Sequence, residues 1–197
     1  MGSVLKDFKD NVQSLMKLCR KLSLQRLQGH IGCQTLVQRD CREHGDSIDR
    51  ESLSLVFLTS IGIKLNFKTH FTLEEARLFA MRGLGCKSKD DISRDMIEDF
   101  MKEYCNLFAG AIKSSFENKG FNSSISLPFL TRARDQIFFN QHPKTDEGEF
   151  IFEDAWEILM DESVIRNHVL IEIYDSEVLS KVVEKADIDD SGSSFFF

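Results

Sequence analysis

Asp99-Phe-Met-Lys-Glu103-Tyr-Cys-Asn106-Leu-Phe-Ala-Gly110 carries the densest pattern in this chain. Around it, Ile97, Phe100, Tyr104, Leu107, Phe108 and Ala111 recur at helical spacing and form one apolar stripe suited to a core. Asp99, Glu103, Asn106, Gly110 and Lys113 share a neighbouring strip, about 120° around the axis at roughly 100° per residue. That strip is expected to see solvent. Glu103 and Asn106 stand three residues apart and project from one turn, so a carboxylate and a carboxamide can together dock a partner and orient a water. Ala109 and Gly110 are small enough for another backbone to approach, although glycine costs a helix interior about 1 kcal/mol relative to alanine.

Working outward, Thr72 and Glu75 form a capping box that opens a second helix, with Leu73, Ala76, Phe79, Ala80 and Leu84 facing inward and Gly83 or Gly85 stopping it. Ser88 to Ser93 offer N-caps for the long helix that holds the motif, which ends before Gly120. Upstream, the pattern predicts a helix over residues 3–28, a strand near 33–39, a polar loop through His44-Gly45-Asp46, and a strand pair over 52–70 turning around Gly62. Downstream, Ile125-Ser-Leu, Gln136-Ile-Phe-Phe139, Phe150-Ile-Phe152 or a slightly longer version, and His168 to Tyr174 read as strands, followed by a helix over 176–186. Strand clusters broken by helices predict an α+β layered domain, a largely antiparallel sheet packed by two or three helices. Residues 1–48 supply the N-terminal helix and first strand, 49–175 the core, and 176–197 a C-terminal helix and a polar, acidic tail.

Composition narrows the function classes. The 197 residues suit one domain, and 42% hydrophobic content supplies a core, with the 17 Phe expected mostly inside it. The formal charge is −7, with six Lys/Arg against two Asp in residues 1–30 and four basic against fifteen acidic residues in 144–190. Nucleic acid is therefore not an expected partner. The basic N-terminal segment carries Leu5, Phe8, Val12, Leu15, Cys19 and Leu22 on one face, which is expected to pack on its own domain and not on a membrane. Five cysteines without a Cys-x-x-Cys pair, no secretory apolar region at the start and no spanning run lead to the expectation of a reduced, cytoplasmic protein. The five histidines show no metal-ligand spacing, Gly83-Leu-Gly85 lacks the rest of a dinucleotide fingerprint, and no phosphate-binding loop is present. No metal site is expected. Cys105 has no histidine near it in sequence, and inert packing is its expected role.

The run Asp99-x3-Glu103-x2-Asn106, followed by Ala109-Gly110, Lys113, Gly120 and Ser124-Ile-Ser-Leu-Pro128, resembles the signature of the CheC/CheX family, phosphatases of the phosphorylated chemotaxis regulator CheY. Twenty-one residues separate Asn106 from Pro128, where that signature has twenty-two. A second Glu-x-x-Asn is absent, so the similarity is to the single-site CheX branch. The resemblance spans about residues 50 to 175 and implies an enzyme that has no cofactor of its own and uses the Mg2+ held by its partner. By that analogy Asn106 orients the hydrolytic water. Glu103 pairs with a lysine of the CheY-like receiver, while Asp99, Gly110 and Lys113 support docking and Pro128 is scaffolding. A homodimer joined through sheet edges is a further implication. The competing reading is a noncatalytic receiver-binding or scaffold module of the same fold.

Overall fold

The computed structural model describes residues 2–41, 52–132 and 150–183. The predicted strand Gln136–Phe139, the loop at His44–Asp46, the acidic tail and Phe195–Phe197 lie outside these residues. Among the described residues the chain forms α1 (Gly2–Ile31), β1 (Val37–Asp40), β2 (Ser52–Ser60), β3 (Ile63–Phe71), α2 (Leu73–Leu84), α3 (Arg94–Glu117), β4 (Ser123–Ile125), β5 (Phe129–Arg132), β6 (Phe150–Met160), β7 (Ser163–Ile173) and α4 (Ser176–Val183). All strand pairings are antiparallel. The sheet runs in the order β1-β6-β7-β3-β2-β4, and β5 pairs with β2 beside β4. Four helices and an antiparallel sheet make the α+β layered domain that the alternation of patterns implies.

Local chemistry sets the element boundaries. Thr72 and Glu75 close both hydrogen bonds of the capping box, and α2 stops at Gly85, whose φ of 69° is left-handed. Gly83 instead lies inside α2. A Cβ there would sit 2.4 Å from the Phe100 ring, so the missing side chain is what lets α2 lie against α3. Leu84, expected inward, is 48% exposed because the helix terminates immediately after it. Ser88 caps a short 3-10 turn, and Ser93 caps α3 by accepting a hydrogen bond from the Met96 amide. β6 and β7 each run eleven residues, well beyond the strands predicted from apolar residues alone.

One face of the sheet meets the helices. Phe67 of β3 stacks on Phe108 of α3 at 3.9 Å and lies edge-on to Tyr104 at 5.9 Å, with Trp156 of β6 at 6.1 Å. A buried polar thread runs beside these rings. Thr69 Oγ1 and Tyr104 OH both donate to Asn167 Oδ1 (2.9 and 3.3 Å), Cys105 Sγ donates to Thr69 Oγ1, and Ser54 Oγ donates to the Met101 carbonyl. α1 packs along the same layer, burying Val12, Leu15 and Cys19. Arg20 ties it to the sheet, donating to Asp154 at 2.6 and 2.7 Å and to Asp40 with its guanidinium over Trp156, whose Nε1 donates to Ser23 Oγ. The amphipathic N-terminal helix thus belongs to the domain itself. Among the described residues no helix is long and apolar enough to cross a membrane.

The opposite face of the sheet is mixed and largely buried, with Leu53 and Leu55 of β2 and Leu170 of β7 lying on it beside a row of polar groups. By strand alternation Asn66, Lys68 and His70 of β3 point away from the helices, with Arg166 and His168 of β7 and Glu157 of β6 beside them. Glu157 accepts from Arg39 Nε at 2.7 Å and from Arg166 Nη2 at 2.9 Å. Burial pushes its carboxyl up, but the two guanidiniums outweigh burial and hold it below its ordinary 4.5. Burial lowers Lys68 to about 8, against a smaller opposing pull from Glu153.

Two stability measurements follow from this face. Glu157→Gln strands Arg166 and is expected to cost about 3 kcal/mol in urea unfolding at pH 7, near the low end for a broken buried pair because Arg39 stays partly solvated. Since the folded Glu157 pKa is depressed, its contribution is present above the ordinary carboxylate range and fades as pH falls through the folded value. For Lys68 the unfolded chain holds its proton up to 10.5 and the folded chain to about 8, so stability is expected to rise with pH across that window. Urea midpoints at pH 7.5 and 10 check this, and in Lys68→Met the component of the rise due to this amine disappears.

Candidate functional site

α3 buries a broad face comprising Ile97, Phe100, Met101, Tyr104, Cys105, Phe108, Ala109, Ala111, Ile112 and Phe116. Leu107, placed on the predicted stripe, is only partly buried, and Ala109 is buried in the chain's own core. What remains outside is the predicted strip. Asp99 and Glu103 are exposed, and Asn106, Gly110 and Lys113 are partly exposed. At about 100° per residue these five span an arc of about 80° on the side of the helix away from the sheet.

The charges of the strip are not equally engaged. Asp99 pairs with Lys102 at 2.6 Å, and Lys113 reaches Glu117 at 3.6 Å. Glu103 has no ion pair among the described residues. Its one hydrogen bond comes from Asn106, whose Nδ2 donates to Glu103 Oε2 at 3.4 Å. That contact uses the amide nitrogen and leaves the carboxamide oxygen out of it, while the helix holds both groups on one turn. The pair thus presents an anion, an amide donor and an amide acceptor together at the surface.

Each flank of the strip is bounded by a different element. On the Glu103 side, the last turn of α1 brings His30 onto Phe100, with the rings stacked at 4.1 Å and 18°. Burial keeps the imidazole below its ordinary 6.5, ahead of the upward pulls of the Phe100 backbone hydrogen bond and the Glu103 charge. Sequence reasoning missed His30, since seventy-odd residues separate it from the motif and no local pattern links them. On the Asn106 side, past Ala109, α3 borders the edge built by β4 and β5. Ser126-Leu127-Pro128 joins those two strands, so Pro128 stands at a break in the sheet edge, as its lack of an N–H favours.

Other chemistry is absent from the strip. Burial raises the Cys105 thiol to about 11, ahead of the opposing hydrogen bonds from Ser54 and Thr69, which makes it a packing residue and not a nucleophile. Among the described residues no group of three or more His, Cys, Asp or Glu is placed to hold a metal ion. A cleft of about 530 Å³ between α2 and the β6–β7 turn is lined by Glu74, Arg77, Lys89, Asp161 and Glu162, none of them on the strip.

Several solved structures share this architecture. A chain of the CheX–CheY–BeF3–Mg2+ complex from Borrelia burgdorferi is 14% identical and superposes with a TM-score of 0.60 over 79% of this chain and 96% of the other. Chemotaxis protein CheX from Vibrio vulnificus is 13% identical, with a TM-score of 0.57 over 78% and 95%. A chain of the FliM–SpeE complex from H. pylori is 12% identical, with a TM-score of 0.53 over 93% and 97%. No family model matches the sequence, and no curated protein does either. The fold is that of the CheX and CheC-like structures.

Gly110 gives a direct test of where the strip faces. A Cβ at this position meets nothing within 4 Å, so no contact inside the chain requires glycine. Gly110→Ala is expected to raise stability by about 1 kcal/mol in urea unfolding. A loss instead would mean that the site is closed by this chain itself.

Proposed function

We propose that this protein is a phosphatase of an aspartyl-phosphorylated, CheY-like receiver domain in chemotaxis or a related two-component pathway. The observation that carries the reading is the open Glu103–Asn106 pair on α3 in a CheX-type fold. The fold's relation to a CheX structure crystallised with CheY supports the choice of partner class.

In this mechanism the receiver brings the acyl phosphate and its Mg2+, and α3 docks over them. Glu103 pairs with a cationic side chain of the receiver, most naturally a lysine, and fixes the helix against it. Asn106 holds a water in line with the phosphorus–oxygen bond, its carboxamide oxygen accepting one of the water's protons in a hydrogen bond. The water oxygen bonds to phosphorus and the bond from phosphorus to the aspartyl oxygen breaks with its electron pair, which regenerates the receiver's aspartate, and inorganic phosphate departs carrying both protons of the water. No covalent intermediate on this chain is needed, in keeping with a transition state whose demands are mainly positioning and charge. Asp99, Gly110 and Lys113 border the docked surface, and Gly110 leaves room for the partner's backbone. A noncatalytic receiver-binding module of the same fold would keep Glu103 for docking and use the basic N-terminal helix or the acidic C-terminal segment to recruit another protein.

The decay of a phosphorylated receiver, followed with and without the protein, separates these readings. Asn106→Ala is expected to reduce the acceleration about 10²-fold while leaving binding in place. Glu103→Ala weakens both binding and turnover. Unchanged decay when the receiver is saturated with wild-type protein would reject catalysis.

A further inference from the structure

The edge strand beside α3 contains one residue too many. Ile125 pairs with Leu58, and the next step is set by Ser126, whose N–H donates to the Phe57 carbonyl at 2.9 Å while its Oγ accepts from the Phe57 N–H at 3.0 Å. Pairing resumes with Phe129 opposite Leu55. Val56 is therefore faced by two residues, Leu127 and Pro128, which is the count that defines a β-bulge. The Val56 side chain is buried in the core beneath the helices, so the bulge lies opposite a position that faces the helix layer.

We infer that Leu127 is the apolar anchor of the receiver-docking surface, displayed by this bulge beside the Asn106 flank of α3. The inference rests on the receiver-binding reading above and deepens it. Leu127 is 87% exposed, more than any other large hydrophobic residue among those described. Single exposed leucines are common and need no explanation. This one differs in being held on both sides. Ser126 is bonded to Phe57 twice and donates its Oγ–H to the Leu127 carbonyl at 3.1 Å, and Phe129 re-enters the ladder two residues later. A backbone held in this way need not be ordered when a partner covers the side chain, so that part of the entropic cost of binding is already met. Its position also complements the strip. Glu103 offers charge and Asn106 offers polar chemistry, and the exposed large apolar residue of α3 is Met96, 37% exposed on the Glu103 side, so the Asn106 side has none of its own on the helix to exclude water. The partner surface that fits is an apolar patch on the same receiver, next to its aspartyl phosphate.

The test is a binding titration with the CheY receiver loaded with BeF3 and Mg2+, which is not turned over. Leu127→Ser is expected to weaken binding about tenfold. Leu127→Met should restore it, and the urea midpoints of both should match wild type, because the side chain packs on nothing. Turnover of phosphorylated receiver at saturation should be unaltered in Leu127→Ser, with the loss confined to KM. Wild-type binding without any acceleration of dephosphorylation would reject the phosphatase but keep the anchor, provided that Leu127→Ser still binds more weakly. Equal affinity of Leu127→Ser and wild type, with Glu103→Ala weakened, would overturn the anchor alone. No binding by wild type would overturn both.

Discussion

The rotational setting of α3 governs everything this chain can present to a partner. Its inner half is fixed twice over. Phe67 stacks against Phe108, and the thread from Ser54 and Thr69 through Tyr104 to Asn167 gives the same helix face a set of hydrogen bonds that only one rotation satisfies. Apolar packing alone tolerates small rolls of a helix, whereas buried polar groups left unmatched carry a desolvation penalty of about 1–3 kcal/mol each. Stacking supplies the attraction, and the polar thread supplies the angle. The outer strip is the complement of that angle.

The remaining helices and the sheet then act as the frame around this setting. α1 is locked to β6 by Arg20 and Trp156 and ends with His30 against Phe100, so the N-terminal helix closes one side of the strip. Gly83 lets α2 come close enough to close the same side further along. The interrupted edge at Ser126–Pro128 borders the other side. A surface bounded in this way is open on the side of α3 that faces away from the sheet.

What the sequence disclosed was what is decided locally. The Thr72–Glu75 box, an N-cap between Ser88 and Ser93, the 3.6-residue stripe of α3 and the turn around Gly62 all depend on residues within a few positions of each other; the box and the turn appear where the pattern places them, the cap falls at Ser93, and the stripe holds except at Leu107. The exposed strip was legible for the same reason. β6 was harder because Asp154 and Glu157 interrupt its apolar pattern, and their partners Arg20, Arg39 and Arg166 come from α1, β1 and β7. The extra edge residue was invisible, since two-against-one counting has no meaning until β2 supplies the one. Leu84 and Ala109 show the same limit on a single side chain: spacing placed the first inside and left the second available to a visitor, while the end of α2 and the breadth of the α3 contact decided otherwise.

The Ser93 cap has a consequence for how this chain tolerates changes of length. From that hydroxyl onward each residue advances the helix by about 100°. One inserted amino acid before Glu103 would therefore swing the carboxylate a quarter-turn or more and exchange surface groups with interior ones, whereas four would bring them nearly back into phase. On the other side of Ser93 the constraint is of another kind, since the Ser88 turn, the Arg77 hydrogen bonds to the Lys89 and Ile92 carbonyls and the buried Ile92 hold that segment by contact and not by helical phase. The serine thus marks where length becomes quantised in steps of the helical turn.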